Sequence, residues 1–259
     1  MPTFLFDRVI FGPVVSRRLG VSLGINLLPV DRKWCNFDCL YCECGLNPEP
    51  GSVRDLLPSR DEVRLKLAEK IKEMAGSGKL PDVITFAGNG EPTLHPEFCG
   101  IIDDTLQIRN ELCPGARIAV LSNSTTIHRA EIREALSHID QNILKLDSAL
   151  EDSFRKINRP AGKKRIADYE EALRLFGSGV IIQTLFVRGT YQGDAIDNTT
   201  EEELSALIAA YKKIAPEYVM IYSFERDTPV PTLEKIGREE LEKIAQRIRE
   251  NGIACEVSS

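Results

Sequence analysis

The sequence predicts an α/β fold, a partial (β/α)6 three-quarter TIM-like barrel built on a parallel sheet. From residue 80 onward, short strand-like runs alternate with amphipathic helical segments without interruption. A further strand and helix before residue 80 bring the number of β-α units to six. Parallel strands joined by helices form right-handed crossovers, and six units are too few for a closed barrel of eight. A flat doubly wound sheet is the alternative, and both folds place function at the carboxyl ends of the strands.

Hydrophobic periodicity defines the individual elements. Strands are predicted where β-branched and apolar residues run together, at 22–29, 82–88, 117–123, 142–147, 180–187 and 217–224. Helices are predicted where apolar residues recur every three or four positions, within 63–74, 98–112, 132–139, 166–176, 204–211 and 241–248. Capping boxes begin the first helix at Ser59 with Glu62 and the fifth at Thr200 with Glu203.

Composition narrows the class of protein. The chain is 42% hydrophobic and 28% charged, as soluble globular proteins are, and its 33 basic and 39 acidic residues give a net charge of −6. An acidic chain does not bind nucleic acid or membranes over its whole surface. Asp7 and Arg8 interrupt the apolar start, which argues against a signal peptide, and no apolar run approaches the roughly 20 residues of a membrane span. We therefore expect one domain, 1–259, in the cytoplasm and without membrane contact.

The cysteines are the strongest chemical signal. Four of the seven lie within residues 35–44, and Cys35, Cys39 and Cys42 have the spacing C-x3-C-x2-C directly after the first strand. In a reducing compartment such a cluster predicts metal or redox chemistry, and thiolates suit iron–sulfur clusters and zinc. Three ligands leave one coordination position open for chemistry. The alternatives are a buried helix face and a zinc site completed by Cys44 or a distant cysteine.

Polar residues stand where four later strands end. Strand two ends in the glycine turn Gly-Asn-Gly-Glu-Pro at 88–92, and strand three ends in Ser122, Asn123 and Ser124. Strand four carries the charged residues Lys145 and Asp147 two positions apart, which places both side chains on one face. Strand five carries one side-chain amide, Gln183, in an apolar run, and a buried amide needs hydrogen-bond partners. The alternatives are helix capping for strand three and a mutual surface ion pair for strand four.

This arrangement resembles the radical S-adenosylmethionine (SAM) superfamily. The resemblance implies that Cys35, Cys39 and Cys42 bind three irons of a [4Fe–4S] cluster, whose fourth iron binds the amino and carboxylate groups of SAM. It also implies a SAM pocket formed by Tyr41, Gly88, Asn89, Gly90, Glu91, Asn123, Ser124, Lys145, Asp147, Gln183 and Ile221; a plain core position is the alternative for Ile221. Cys44 has no counterpart and is expected to be a free thiol. The electron is expected to come from a flavodoxin or ferredoxin-like donor.

Several segments look like the branch of that superfamily that contains wyosine-type tRNA synthases. They are residues 12–26, the cysteine loop, the turn at 88–92, Lys-Leu-Asp-Ser at 145–148 and Ile-Asn-Arg-Pro at 157–160. Wyosine synthases of the single-domain kind carry a second cysteine set ahead of the SAM cluster and a basic RNA-binding surface. No cysteine precedes Cys35 here, and the chain is acidic. The resemblance therefore transfers the fold and the SAM chemistry, and not the tRNA substrate.

The function expected on this resemblance is cleavage of SAM to a 5′-deoxyadenosyl radical that removes hydrogen from a substrate. The alternatives are a zinc-stabilised nucleic-acid-binding module, a tRNA-modifying enzyme and a cluster-bearing electron carrier. We expect the substrate, an anionic small molecule or an RNA, to meet Arg159, Glu225 and Arg226 above the strand ends, with Tyr222 nearby. A surface ion pair is the alternative for Glu225 and Arg226. The basic stretch 155–165, together with Arg17 and Arg18, is a candidate phosphate surface, unless these are ordinary solvated helix ends and loops.

Overall fold

The computed structural model describes residues 4–16, 20–48, 57–177 and 179–258. Arg17 and Arg18, which the sequence suggests for phosphate binding, lie outside the described residues. None of the helices in the described ranges combines the length and the apolar character needed to cross a lipid bilayer.

An eight-stranded sheet forms the centre of the fold, and a small three-stranded sheet lies beside it. In chain order the strands are β1 (Ile10–Ser16), β2 (Gly20–Ile25), β3 (Val83–Phe86), β4 (Arg117–Ser122), β5 (Gln141–Lys145), β6 (Val180–Leu185), β7 (Val187–Tyr191), β8 (Asp194–Asp197), β9 (Tyr218–Tyr222), β10 (Leu233–Lys235) and β11 (Cys255–Val257). The large sheet has the order β1-β2-β3-β4-β5-β6-β9-β11, parallel from β2 onward, with β1 antiparallel to β2. All six predicted strands are present, and the predicted mostly parallel α/β architecture is confirmed.

Helices connect the parallel strands. They are α1 (Arg60–Gly76), α2 (Phe98–Leu112), α3 (Ala130–Ser137), α4 (Glu151–Asn158), α5 (Ile166–Phe176), α6 (Glu201–Ile214) and α7 (Arg238–Glu250). Both predicted N-caps are present, since the Ser59 side chain accepts a hydrogen bond from the Glu62 amide and Thr200 accepts one from the Glu203 amide. Each cap satisfies a backbone donor that the first helical turn leaves free.

The strands have two apolar faces. Val83, Ala119, Ile143, Ile181 and Met220 form one small buried cluster, while residues between them in the strands belong to the larger core under the helices. Because side chains alternate along a strand, this division separates the barrel interior from the helix layer. Ile221 belongs to the helix-facing core and is fully buried, whereas its neighbours Met220 and Tyr222 face inward.

Four features go beyond the predicted pattern: the edge strands β1 and β11, the short helix α4, and the antiparallel sheet β10-β7-β8. The β7–β8 hairpin turns at Gln192 and Gly193, both with positive φ, which is the geometry that two-residue hairpins require. Gln-Gly is a weaker turn signal than Asn-Gly or Asp-Gly, so the periodicity alone did not reveal the hairpin.

Candidate active site

The cysteine loop lies at the carboxyl edge of the large sheet. Cys35, Cys39 and Cys42 border one cavity of about 410 Å³, the strand-end cavity, which side chains at the ends of β3, β4, β5, β6 and β9 also line. Helix α4 holds the loop in place, because the amides of Asp38 and Leu40 donate to carbonyls at its end at 2.9 and 3.0 Å. The loop thus presents three thiols to the space where the strands end.

Amide donors point at two of these sulfurs. The side-chain amide of Asn123 and the backbone amide of Phe37 each lie 3.4 Å from the Cys35 sulfur. The side-chain amide of Asn158 lies 3.4 Å from the Cys39 sulfur. Such donors favour a negatively charged sulfur and tune a bound metal cluster. Asn158 was not among the predicted site residues, although it stands beside Arg159 in the Ile-Asn-Arg-Pro motif.

A buried lysine adds positive charge beneath the thiols. The Lys33 side chain is only 2% exposed, and its ammonium donates to the Gly45 carbonyl at 3.0 Å. Burial alone would lower the pKa of Lys33, but the negative charges of the thiolates and of Asp38 raise it well above its ordinary value. A hydrogen bond from Cys44 and the charge of Lys33 lower the pKa of Cys42 to about 6, against the effect of burial. Burial instead raises the pKa of the Cys35 and Cys39 thiols, so their thiolate form would depend on a bound metal.

The donor set fits a [4Fe–4S] cluster. In the described ranges, no three histidine, cysteine, aspartate or glutamate side chains come together closely enough to hold a single metal ion. The three thiols instead border a cavity large enough for a multi-iron cluster, with amide donors and an ammonium nearby. Soft thiolates in this number leave one position of such a cluster for another ligand.

Asp147 is fully engaged by its own chain. Its carboxylate accepts hydrogen bonds from the Tyr41 hydroxyl, from the Asn158 amide at 2.7 Å and from the Leu185 backbone amide at 2.9 Å. The predicted pair with Lys145 is present at 3.5 Å, but it is buried rather than on the surface. Asp147 therefore lies behind Tyr41 and outside the lining of the strand-end cavity, where it fixes the tyrosine.

Lys145 is the cationic group that reaches the strand-end cavity from β5. Its ammonium lies 3.3 Å from the Tyr222 hydroxyl and 5.2 Å from the centre of the Tyr41 ring. Burial opposes the charge, but Asp147 raises the pKa of Lys145 well above its ordinary value. The side chain thus offers a fixed ammonium, flanked by two aromatic rings, to an anionic ligand.

The glycine turn packs against its own chain. A Cβ at Gly90, whose φ is +140°, would lie 1.9 Å from the Trp34 carbonyl oxygen, and one at Gly88 would lie 2.2 Å from the Asn26 side chain. The Asn89 side chain bonds both backbone groups of Phe6 and the Pro29 carbonyl, so it holds the N-terminal segment instead of lining the cavity. The chain's own packing therefore already requires glycine at both of these positions of the predicted SAM pocket.

Glu91 ties two strand ends together. Its buried carboxylate accepts hydrogen bonds from the Ser122 hydroxyl at 2.9 Å and from the backbone amides of Asn123 and Thr93 at 2.6 and 3.1 Å. Burial raises the pKa of Glu91, and these hydrogen bonds counter the shift. Ser124 is likewise turned inward and donates to the Lys145 carbonyl at 3.2 Å. Both residues stabilise the rim on which the cavity is built.

The predicted SAM residues thus divide into two groups. Those that line the strand-end cavity are Tyr41, Gly88, Gly90, Glu91, Asn123, Lys145 and Gln183. Those that the structure places outside this lining are Asn89, Ser124, Asp147 and Ile221. Ile221 faces the helices because strand alternation points Met220 and Tyr222 into the barrel, so the plain-core alternative describes its position.

The predicted substrate residues do not converge. Arg226 lines the strand-end cavity, pairs with Glu43 at 2.7 Å and lies 4.3 Å from the Phe4 ring centre. Arg159 instead pairs with Asp38 at 3.5 Å and stacks on Tyr191, while Glu225 pairs with Lys235 at 2.7 Å. Neither Arg159 nor Glu225 lines the cavity. The expected meeting of two arginines is corrected, because the β7–β8 hairpin offers Arg159 a partner that the sequence did not predict.

The helical part of the basic stretch 155–165 is paired with acids of its own helix. Arg155 pairs with Glu151 at 2.7 Å, and Lys156 pairs with Asp152 at 2.8 Å. Lys164 lies 2.8 Å from the His128 ring and 3.4 Å from the Thr125 carbonyl. Charges paired one helical turn apart are typical of a solvated helix face.

Comparison with known proteins places the chain in a family. A family model for the radical SAM superfamily matches residues 32–186. The chain is 30% identical over 209 residues to the UPF0026 protein slr1464 of Synechocystis sp., a match that covers 78% of this chain and 71% of that protein. It is also 30% identical over 251 residues to a Brachyspira hyodysenteriae protein named GTPase Obg, covering 95% of this chain. The chain spans only 34% of that relative's length, and the name GTPase describes the relative.

Solved structures share the fold. A radical SAM methyltransferase from Sphaerobacter thermophilus matches with a TM-score of 0.66 at 14% identity, covering 91% of this chain and 65% of that one. TYW1 with a bound lysine-pyruvate adduct matches with a TM-score of 0.56 at 17% identity, covering 89% and 73%. These likenesses concern the fold alone, and they confirm the predicted partial barrel. The family model covers more than half of the sequence: the chain belongs to the radical SAM superfamily and to the family of UPF0026 proteins.

Proposed function

We propose that this protein is an enzyme that binds a [4Fe–4S] cluster through Cys35, Cys39 and Cys42 and SAM in the strand-end cavity. The single observation that carries the proposal is the shared cavity, which the three thiols and the polar strand ends border together. When bound, the cluster supplies one electron to the SAM sulfonium, so that the C5′–S bond breaks into methionine and a 5′-deoxyadenosyl radical. The radical SAM family implies both cofactors.

The chain's own residues would orient the two cofactors. Asn123 and Asn158 donate to cluster-ligating sulfurs, and Lys33 balances the negative charge of the loop. Lys145 places an ammonium where a SAM carboxylate would complete a charge-assisted hydrogen bond. Tyr41, fixed by Asp147, offers its ring to the adenine side of the cavity. Rigid support of this kind keeps reacting groups in a productive geometry.

Apolar residues would exclude water from the reactive intermediate. Phe4, Phe6, Leu121, Leu185 and Phe224 line the strand-end cavity beside the polar groups. The segment that carries Phe6 is held by the Asn89 side chain, which both accepts from and donates to the Phe6 backbone at 2.9 Å. A dry, shaped cavity limits side reactions of a radical.

We further propose that the radical removes a hydrogen atom from an anionic small molecule, with the electron supplied by a flavodoxin or ferredoxin-like donor. Arg226 at the cavity wall supports an anionic substrate, because arginine binds carboxylate and phosphate through paired donors. The pairing of Arg155 with Glu151 and of Lys156 with Asp152 supports a small molecule over an RNA.

Anaerobic reconstitution with iron and sulfide, followed by reduction with dithionite, tests the proposal. We expect SAM to be cleaved to 5′-deoxyadenosine and methionine in equal amounts, and Cys39→Ala to abolish both products. Cys113→Ala is the matched control, since Cys113 is a buried cysteine in the helix-facing core. A cluster-loaded protein that leaves SAM intact would instead be an electron carrier, and a colourless protein containing zinc would be a zinc-stabilised module.

A further inference from the structure

A second cavity lies deeper in the barrel, directly beneath the strand-end cavity. This barrel cavity has a volume of about 210 Å³ and is lined by Thr85, Ile143 and Met220. On β5 and β9, the strand-end cavity is lined by the residues two positions later, Lys145 and Tyr222. Because side chains two apart share a face, the barrel cavity is the inward continuation of the strand-end cavity. Phe6, Leu121, Gln183 and Arg226 are among the residues that border both.

The walls of the barrel cavity are mainly apolar and aromatic. The rings of Phe6 and Phe11 stack with centres 3.7 Å apart and planes 22° apart. Phe11 lies directly on Gly24, where an added Cβ would be 2.1 Å from the ring. Val14, Leu121, Ile143 and Met220 add aliphatic surface. Apolar walls of this kind suit the apolar part of a ligand, such as a ring.

One polar group in these walls lacks a partner. The Ser22 and Thr85 hydroxyls bond each other at 2.9 Å, so each has a partner. Gln183 is only 6% exposed, and its side-chain amide makes no hydrogen bond with any residue in the described ranges. Buried polar groups are nearly always hydrogen-bonded, so an amide that faces two cavities without a partner points to a ligand. An amide offers one acceptor and two donors side by side.

We propose that the barrel cavity binds a small anionic heteroaromatic molecule, and that Gln183 recognises the adjacent donor and acceptor on the edge of its ring. The cavity volume suits a ring of one or two cycles. Arg226 at the shared border donates to Glu43 through Nη1, and its other guanidinium donors would bind the anionic substituent. This proposal rests on the proposed function, because it places the substrate directly below the SAM cavity. Gln183 is then a specificity-determining residue that contacts the substrate.

Calorimetric titration of the anaerobically reconstituted protein with SAM present tests the proposal. The probes are orotate, pterin-6-carboxylate, UMP and GMP, with indole-3-acetate and cyclohexanecarboxylate as anions that lack an adjacent donor and acceptor on a ring edge. We expect at least one heteroaromatic probe to bind at least tenfold more tightly than both control anions. A site built to hydrogen-bond a polar group strongly rejects analogues that lack this group. For a nucleotide that binds, the corresponding nucleoside, which lacks the anionic group, should bind at least tenfold more weakly.

Gln183→Leu should lower the affinity for the preferred probe at least tenfold and leave the affinities of the control anions unchanged. Gln246→Leu, which alters an exposed glutamine on α7, is the matched control and should change neither. Unchanged binding of the preferred probe by Gln183→Leu would overturn the proposal, as would a wild-type protein that binds none of the four probes. Gln183-dependent binding of an RNA oligonucleotide without binding of its free nucleotides would also overturn it. Titration of the wild-type protein with SAM separates the two proposals. A wild-type protein that binds the heteroaromatic probe but not SAM would refute only the proposed function.

Discussion

Asn158→Leu tests how the chain supports the cluster. The leucine has a similar volume but removes three hydrogen bonds, to the Cys39 sulfur at 3.4 Å, the Tyr41 hydroxyl at 3.2 Å and the Asp147 carboxylate at 2.7 Å. A hydrogen bond to a charged group contributes about 1.5–3 kcal/mol and a neutral one about 1 kcal/mol. Asp147 keeps its bonds from Tyr41 and the Leu185 amide, so we expect the free energy of unfolding to fall by about 2–4 kcal/mol.

The same change should shift the reduction potential of the cluster. Amide donors stabilise the more negative, reduced state, so losing one lowers the potential. If that bond strengthens by about 1 kcal/mol on reduction, the one-electron potential falls by roughly 40 mV. Potentiometric titration followed by electron paramagnetic resonance measures the shift. Asn142→Leu is the matched control, because Asn142 is buried on β5 and bonds the Leu136 carbonyl away from the thiols. Equal potentials in both variants would refute the role of Asn158.

The remaining predictions concern the turn, pH and the fourth thiol. Gly90→Ala should lower the free energy of unfolding by about 3 kcal/mol even without SAM, because the added Cβ meets the Trp34 carbonyl and φ is positive. Gly115→Ala is the control and should change the free energy of unfolding by less than about 1 kcal/mol, because an added Cβ there meets open space. Urea unfolding measures both values. Burial lowers the pKa of His95 in the folded protein below its ordinary 6.5. The stability that neutral His95 contributes is therefore present above pH 6.5 and is lost as the pH falls towards and through the pKa of the folded state. His95→Gln should therefore flatten the decline in unfolding free energy between pH 7 and pH 5, and exposed His138→Gln should not; identical profiles for wild type and His95→Gln would contradict this. Cys44→Ala should keep the cluster's absorbance near 400 nm while Cys42→Ala loses it, and the reverse result would mean that the ligands are misassigned.

The fold was predictable because its signals are local. Each strand and its following helix carry their own periodicity, so the β-α series could be inferred without tertiary information. The cysteine motif is also local, since three ligands lie within eight residues of one loop. The β7–β8 hairpin and the edge strand β1 were missed because their patterns are short and their pairing depends on partners elsewhere in the chain.

The side-chain assignments were less predictable because they depend on direction and on distant partners. Asn89 and Asn158 are both buried amides near the site, yet one holds the N-terminal segment and the other faces a sulfur. Arg159 and Arg226 were expected to meet, but each found its own acid, Asp38 or Glu43. The sequence shows which residues are polar at a strand end, and only the packing shows which of them keep a free hydrogen-bonding group.

Binding of SAM to the reduced cluster tests the central claim most directly. Electron paramagnetic resonance of the anaerobically reconstituted, dithionite-reduced protein should show a [4Fe–4S] signal whose line shape changes when SAM is added. Cys44→Ala should behave like the wild type, and Cys39→Ala should show no such signal. A cluster signal that SAM leaves unaltered, or a cluster that persists in Cys39→Ala, would contradict the account.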